Sequence, residues 1–309
     1  MTYYRQKILL ALLEVFNGRL TAKQLQKLLF LATRHQDIKS YDFVPYYYGC
    51  FSFQANQDVL TLYNKNILQI TETPNGRYIS IDNGTKTQCD LFGDTQFLSQ
   101  LKSEDKQIIL QLKSDFGSMS QNQLIRFTYI NYPFYAIKSK IAKDILTTEE
   151  LIKISQQKRH YTEPYLFTIG YEGHTLESYL KVLILKDIQI LCDVRKNAYS
   201  QKYGFSKSIL EKACIGVGIK YIHIPALGIE SNKRSSLDCQ ADYDRLFNEY
   251  ENTTLRTANE QLNYIVDLLH TEKRIALTCF EKDPKQCHRT RVANAIVKLT
   301  HNKIPFISL

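Results

Sequence analysis

Between Arg274 and Ala293 the chain reads RIALTCFEKDPKQCHRTRVA, and those twenty residues hold an unusual set of reactive side chains. Cys279 and Cys287 offer thiols, Glu281 and Asp283 carboxylates, His288 an imidazole, and Arg289 and Arg291 guanidinium groups. Such a set could move protons, hold an anion or attack an electrophile. The segment also carries its own scaffold. Arg274 to Cys279 is apolar and short, as a buried strand is, and Pro284 ends any strand character in the polar FEKDP run. From Cys287 onward, Val292, Ala293, Ile296 and Val297 recur at helical spacing. Strand, loop and helix N-terminus is where open α/β sheets bind ligands and where anions are favoured.

The rest of the C-terminal half supplies a sheet for that strand. LFTIGY, a strand ending at Gly170, IQILCDV from Ile188 to Val194 and IKYIHIP from Ile219 to Pro225 are near-continuous apolar runs. Helical patterns from Thr175 to Leu185 and from Ser206 to Ile215 separate them, and Lys303 to Leu309 is a possible last strand. Buried strands alternating with helices predict a mainly parallel, Rossmann-like sheet covered on both faces.

These motifs together resemble the family known as domain of unknown function 488. The matching residues are Thr168 to Tyr171 with Gly173, Asp193 to Arg195, Phe205-Ser206, His223 to Pro225 with Leu227-Gly228, and then Cys279 to Glu281 with Asp283-Pro284 and Cys287-His288-Arg289. The resemblance implies a compact α/β domain of a kind discussed beside DNA modification and defence systems, and no defined activity.

The motifs close four strands, so parallel neighbours would bring them to one crevice. There Tyr171, Arg195, His223, Cys287, His288 and Arg289 are the expected anion- or substrate-binding residues, with Glu281 and Asp193 as general acid and base. The alternative for Asp193 and Arg195 is a structural ion pair. Cys279 is the candidate nucleophile of a third chemistry, similar to that of cysteine phosphatases and sulfurtransferases. Their anion-wrapping loops use glycine, and none lies between Cys279 and Arg291. Packing thiols are the other reading. No metal or other cofactor is expected, because C-x7-C-H gives at most three donors and nothing nearby adds a fourth at ligand spacing.

The N-terminal half reads differently. Ile8, Leu9, Leu12, Leu13 and Phe16 form one helical stripe that stops at Asn17-Gly18, and Thr21 caps a second helix through Leu25, Leu28 and Leu29. The aromatic run FVPYYYGCFS, residues 43–52, a third helix and two strands around the turn at 73–76 complete the element order of a winged helix. The stretch resembles the winged-helix domains of Panacea-type antitoxin-like proteins, with Cys50 where their signature has proline. Lys23, Lys27 and Arg34 are the expected nucleic-acid contacts. The aromatic cluster from Tyr129 to Tyr135 could stack on unpaired bases or pack in a core. The polar, basic run from Ile152 to His160 marks a linker, so domains of 1–160 and 161–309 are expected.

The charge distribution fits a nucleic-acid partner, most naturally DNA, and equally the modest basicity of many soluble proteins. The net charge is +9, and residues 1–160 hold 20 basic against 14 acidic groups, whereas 161–309 hold 20 against 17. Seven cysteines without framework spacing, no signal peptide and no membrane-length apolar run point to the cytoplasm. The expectation is a DNA-contacting protein whose α/β domain hydrolyses a phosphoester or N-glycosidic bond in a nucleotide or nucleic acid. The competing expectations are a non-enzymatic winged-helix regulator that senses an anionic ligand, and a cysteine-dependent enzyme acting on a small anion.

Overall fold

The computed structural model describes residues 2–82, 97–234 and 237–309, and the chain divides into two compact units, 1–158 and 159–309. In the first, α1 (Tyr4–Val15) leads through a left-handed Asn17-Gly18 turn into the short strand β1 (Arg19–Thr21) and then α2 (Ala22–His35). Thr21 caps α2, its hydroxyl accepting from the Gln24 amide while the Gln24 side chain accepts from the Thr21 amide. The aromatic run is a hairpin, β2 (Val44–Tyr46) with β3 (Gly49–Phe51), followed by α3 (Phe53–Asn64). Two more strands, β4 (Leu68–Thr73) and β5 (Gly76–Ile81), pair antiparallel, and β1 adds to the far edge of β5. Among the described residues four α-helices follow: α4 (Ser103–Phe116), α5 (Gln121–Asn131), α6 (Ala142–Ile145) and α7 (Thr148–Ser155). β1 is an element that the periodicity does not reveal, since three residues are too few to show an alternation.

The second unit is the parallel α/β sheet that the apolar runs predict. Its strands are β6 (Tyr165–Gly170), β7 (Ile190–Asp193), β8 (Lys220–His223), β9 (Arg274–Cys279) and β10 (Phe306–Ser308). They lie in the order β10-β6-β9-β7-β8, every neighbouring pair parallel. The connecting helices are α8 (Leu176–Leu185), α9 (Lys207–Gly216), α10 (Gln240–Tyr250), α11 (Asn259–Glu272) and α12 (His288–Leu299). Side chains alternate across a strand, so each residue of β9 belongs to one face or the other. Ile275 and Leu277 pack with Leu262, Ile265, Val292 and Ile296 on the α11–α12 face. Thr278 turns to the opposite face, where its hydroxyl accepts from Tyr179 of α8 at 2.6 Å. No helix among the described residues is long and apolar enough to cross a membrane.

Candidate active site

The register aligns the strand ends. Gly170 stands opposite Cys279, and Asp193 stands opposite both Thr278 and His223. All four candidate segments therefore reach the carboxyl edge of the sheet. They do not enter one crevice, because alternation sends neighbouring residues to opposite faces. Paired residues share a face, so Asp193 goes with Thr278, and Cys279 continues the row of Ile275 and Leu277 toward α12. The result is two clusters.

On the α8 face Asp193 is wholly enclosed. Arg195 donates to both its carboxylate oxygens, from Nε at 2.8 and 3.1 Å and from Nη2 at 2.5 Å, and Tyr221 donates from its hydroxyl at 2.6 Å. The second Arg195 fork nitrogen reaches the Tyr171 hydroxyl at 3.0 Å, and the Tyr171 ring stacks on Phe205. His223 Nε2 lies 2.8 Å from the Arg195 carbonyl. Burial alone would lower the pKa of Arg195, but the bonds and charge of Asp193 override it and raise it. Burial, then Asp193, pushes the Tyr221 hydroxyl up. The arrangement is the structural ion pair that was the alternative reading of these two residues. With Asp193 0% and Arg195 5% exposed, neither is placed to receive a substrate phosphate or exchange a proton with solvent.

On the α12 face the thiols and the imidazole meet. Cys279, Cys287 and His288 are all buried, and their sulfur and ring-nitrogen atoms lie within 4.8 Å of one another. Cys279 Sγ is 3.7 Å from His288 Nδ1 and 3.2 Å from Glu281 Oε2. His288 Nε2 lies 2.9 Å from the Val194 carbonyl. Because a carbonyl only accepts, Nε2 carries a proton, and Nδ1 is the ring nitrogen that faces the sulfur. Burial first, and the neighbouring Cys279 thiol second, push the Cys287 thiol well up, and the Arg289 guanidinium opposes that rise. Glu281 is only partly enclosed, which distinguishes it from Asp193. A cleft of about 150 Å³ bounded by Lys196, Gly228, Glu230 and Tyr250 adjoins this side, and the Tyr250 ring packs edge-on against His288.

Arg289 has a positioning task. Its guanidinium donates to the carbonyls of Glu281 and, at 3.1 Å, Lys282, so it fixes the loop that carries Glu281. Fully buried there, it is not the open anion fork expected of it. Gly170 allows the same loop to cross β6: a Cβ at that position would lie 1.9 Å from the Glu281 carbonyl oxygen.

In the N-terminal unit the three expected contacts fare differently. Lys27 is 1% exposed, and its amine donates to the carbonyls of Tyr48 and, at 3.1 Å, Cys50. Burial lowers its pKa, and it cannot reach a phosphate; its apolar-faced position on α2 explains the difference. Lys23 sits over the Tyr48 ring at 4.4 Å, and Arg34 is exposed beside Tyr132. The 129–135 aromatics belong to the core, with Tyr129 buried and Tyr132 and Tyr135 packed edge-on against Phe30. A cleft of about 610 Å³ lies in this unit, lined in part by Lys23, Tyr46, Tyr48, Phe51 and Arg77.

Sequence reasoning missed Tyr221 and Tyr250, which complete the two clusters. Tyr221 was findable, being two residues before His223 and so on the same face of β8. Tyr250 was not, since it comes from the end of a helix with no link in sequence to the site.

Residues 175–296 match the family model described as domain of unknown function DUF488. The match covers α8 through most of α12 and so includes Asp193, Arg195, His223 and the whole thiol–imidazole cluster. No curated protein matches the chain.

Proposed function

We propose that the C-terminal unit is a hydrolase acting on a phosphoester or N-glycosidic bond of a nucleotide or nucleic acid, with Glu281 as its general base. The observation that carries this reading is the placement of Glu281. It is a partly exposed carboxylate at the carboxyl edge of a parallel sheet, with its loop fixed by buried Arg289, beside a thiol and an imidazole held by the Val194 carbonyl. Asp193 and Arg195 act as positioning residues on the other face, holding Tyr171 and the β7–α9 connection. The proposed approach for the substrate is the Lys196–Tyr250 cleft, which adjoins the cluster through Tyr250 and is lined by two lysines, Lys196 and Lys233, each beside a glutamate. The N-terminal unit serves as a winged-helix-like module that contacts DNA through Lys23, Arg34 and the aromatic cleft, in the cytoplasm. Lys27 contributes to its interior instead.

The test is turnover and affinity measured together on nucleic-acid substrates. Glu281→Gln should lower kcat by about 10²–10⁴-fold, the usual worth of a positioned acid or base, while DNA affinity is kept. Full activity in that variant would refute the assignment. A second reading is favoured by the 3.7 Å approach of Cys279 to His288: a cysteine nucleophile on a small anionic substrate. It requires that Cys279→Ser abolish turnover and that substrate protect against iodoacetamide. Absence of any product, with ligand-dependent DNA binding, would instead identify a regulator.

A further inference from the structure

The α12-face cluster has the composition and spacing of a metal site, which the linear spacing of its residues argued against. We infer that Cys279, Cys287 and His288 bind one thiophilic divalent cation, zinc being the best fit. The three donors are drawn from two elements that the fold brings together. Cys279 ends β9, and Cys287 and His288 cap and open α12. Their ligating atoms lie within 4.8 Å of one another. Zinc takes sulfur at about 2.3 Å and imidazole nitrogen at about 2.0–2.1 Å in tetrahedral geometry. Those legs place a sulfur and a nitrogen about 3.6 Å apart; Cys279 Sγ and His288 Nδ1 are 3.7 Å apart.

The surroundings support the same assignment. A histidine ligand commonly gives its other ring N–H to a backbone carbonyl or carboxylate, which fixes the ring and its tautomer. His288 meets this condition through the Val194 carbonyl, leaving Nδ1 as the ligating atom. Glu281 Oε2, 3.2 Å from Cys279 Sγ, lies where it can either complete the coordination or face a metal-bound water. Two sulfurs and one nitrogen with an open fourth position is a composition found in catalytic zinc centres. Any part the ion takes in hydrolysis rests on the function proposed above, whereas binding itself rests only on the donor geometry. On binding, each thiol releases its proton to solvent and the sulfur keeps the electron pair that it donates to the ion.

The experiment is a cobalt(II) titration of the full chain after reduction and chelation, followed by competition with zinc. The expected result is saturation at one ion per chain, with visible d–d bands of tetrahedral cobalt and near-ultraviolet thiolate-to-metal charge transfer, both lost on adding zinc. Cys287→Ser should weaken binding by more than the roughly 10–100-fold that outer-shell partners are worth. Cys239→Ser, which alters an exposed thiol, should change nothing. Should Cys287→Ser fail to fold, X-ray absorption of the zinc-loaded wild-type chain decides: the zinc shell should contain two sulfurs at about 2.3 Å and a nitrogen at about 2.0–2.1 Å. Non-saturating uptake, a cobalt spectrum without thiolate charge transfer, or a zinc shell without sulfur would overturn the inference. None of these readouts involves turnover, so an inactive protein that binds cobalt through its thiolates would sink the hydrolase reading and leave the metal site standing.

Discussion

At the scale of single residues, two carboxylates that look equivalent in the sequence have opposite surroundings. Asp193 accepts from Arg195 and Tyr221 in the interior, whereas Glu281 is partly open to solvent. Removing one member of a buried pair leaves the other charge uncompensated and costs about 3–5 kcal/mol. Asp193→Ala should therefore lower unfolding free energy in urea by about that amount. Glu281→Gln should change it little. Equal stability of wild type and Asp193→Ala would mean that Arg195 finds another anion and that the pair does not hold the β7–α9 connection. Residue types were legible in the sequence at both positions. Exposure was not, because it depends on Tyr221 and Arg195 closing around one carboxylate and on Arg289 holding the other's loop outward.

The elements decide which residues meet. Four strand ends were identifiable from apolar runs, and β9 occupies the residues expected of it, Arg274–Cys279. The expectation of one crevice treated the strand ends as points and left out the pleat. Asp193 and Cys279 lie on paired strands one position out of phase, and a period of two is enough to send them to different faces. The same geometry explains why spacing alone did not disclose the metal-ligand cluster: Cys279 and Cys287 are separated by a loop that folds back over β6. That return depends on Gly170. Gly170→Ala places a methyl group against the Glu281 carbonyl, and forcing such contacts typically costs about 1–3 kcal/mol. The variant should be destabilised within that range and should bind cobalt more weakly, because the loop must shift away from Cys279. Unchanged stability and unchanged cobalt affinity would show that the loop does not depend on this close approach.

At the scale of the whole molecule, the chain joins a mainly helical unit with a three-stranded sheet to a parallel α/β unit that carries the DUF488 match. The change from helical stripes to alternating strands and helices made the second architecture legible from sequence. The first was legible in its helices and hairpin but not in β1, nor in the burial of Lys27. The proposed division of labour assigns nucleic-acid contact to one unit and bond cleavage to the other. The most direct measurement is a crystal structure of the full chain soaked with a nucleoside monophosphate. The account predicts the nucleotide at the carboxyl edge of the parallel sheet, within hydrogen-bonding reach of Glu281 and with its phosphate toward Lys196 or Lys233. A nucleotide held only in the cleft lined by Lys23 and Tyr48, or found nowhere at concentrations that support turnover, would contradict it.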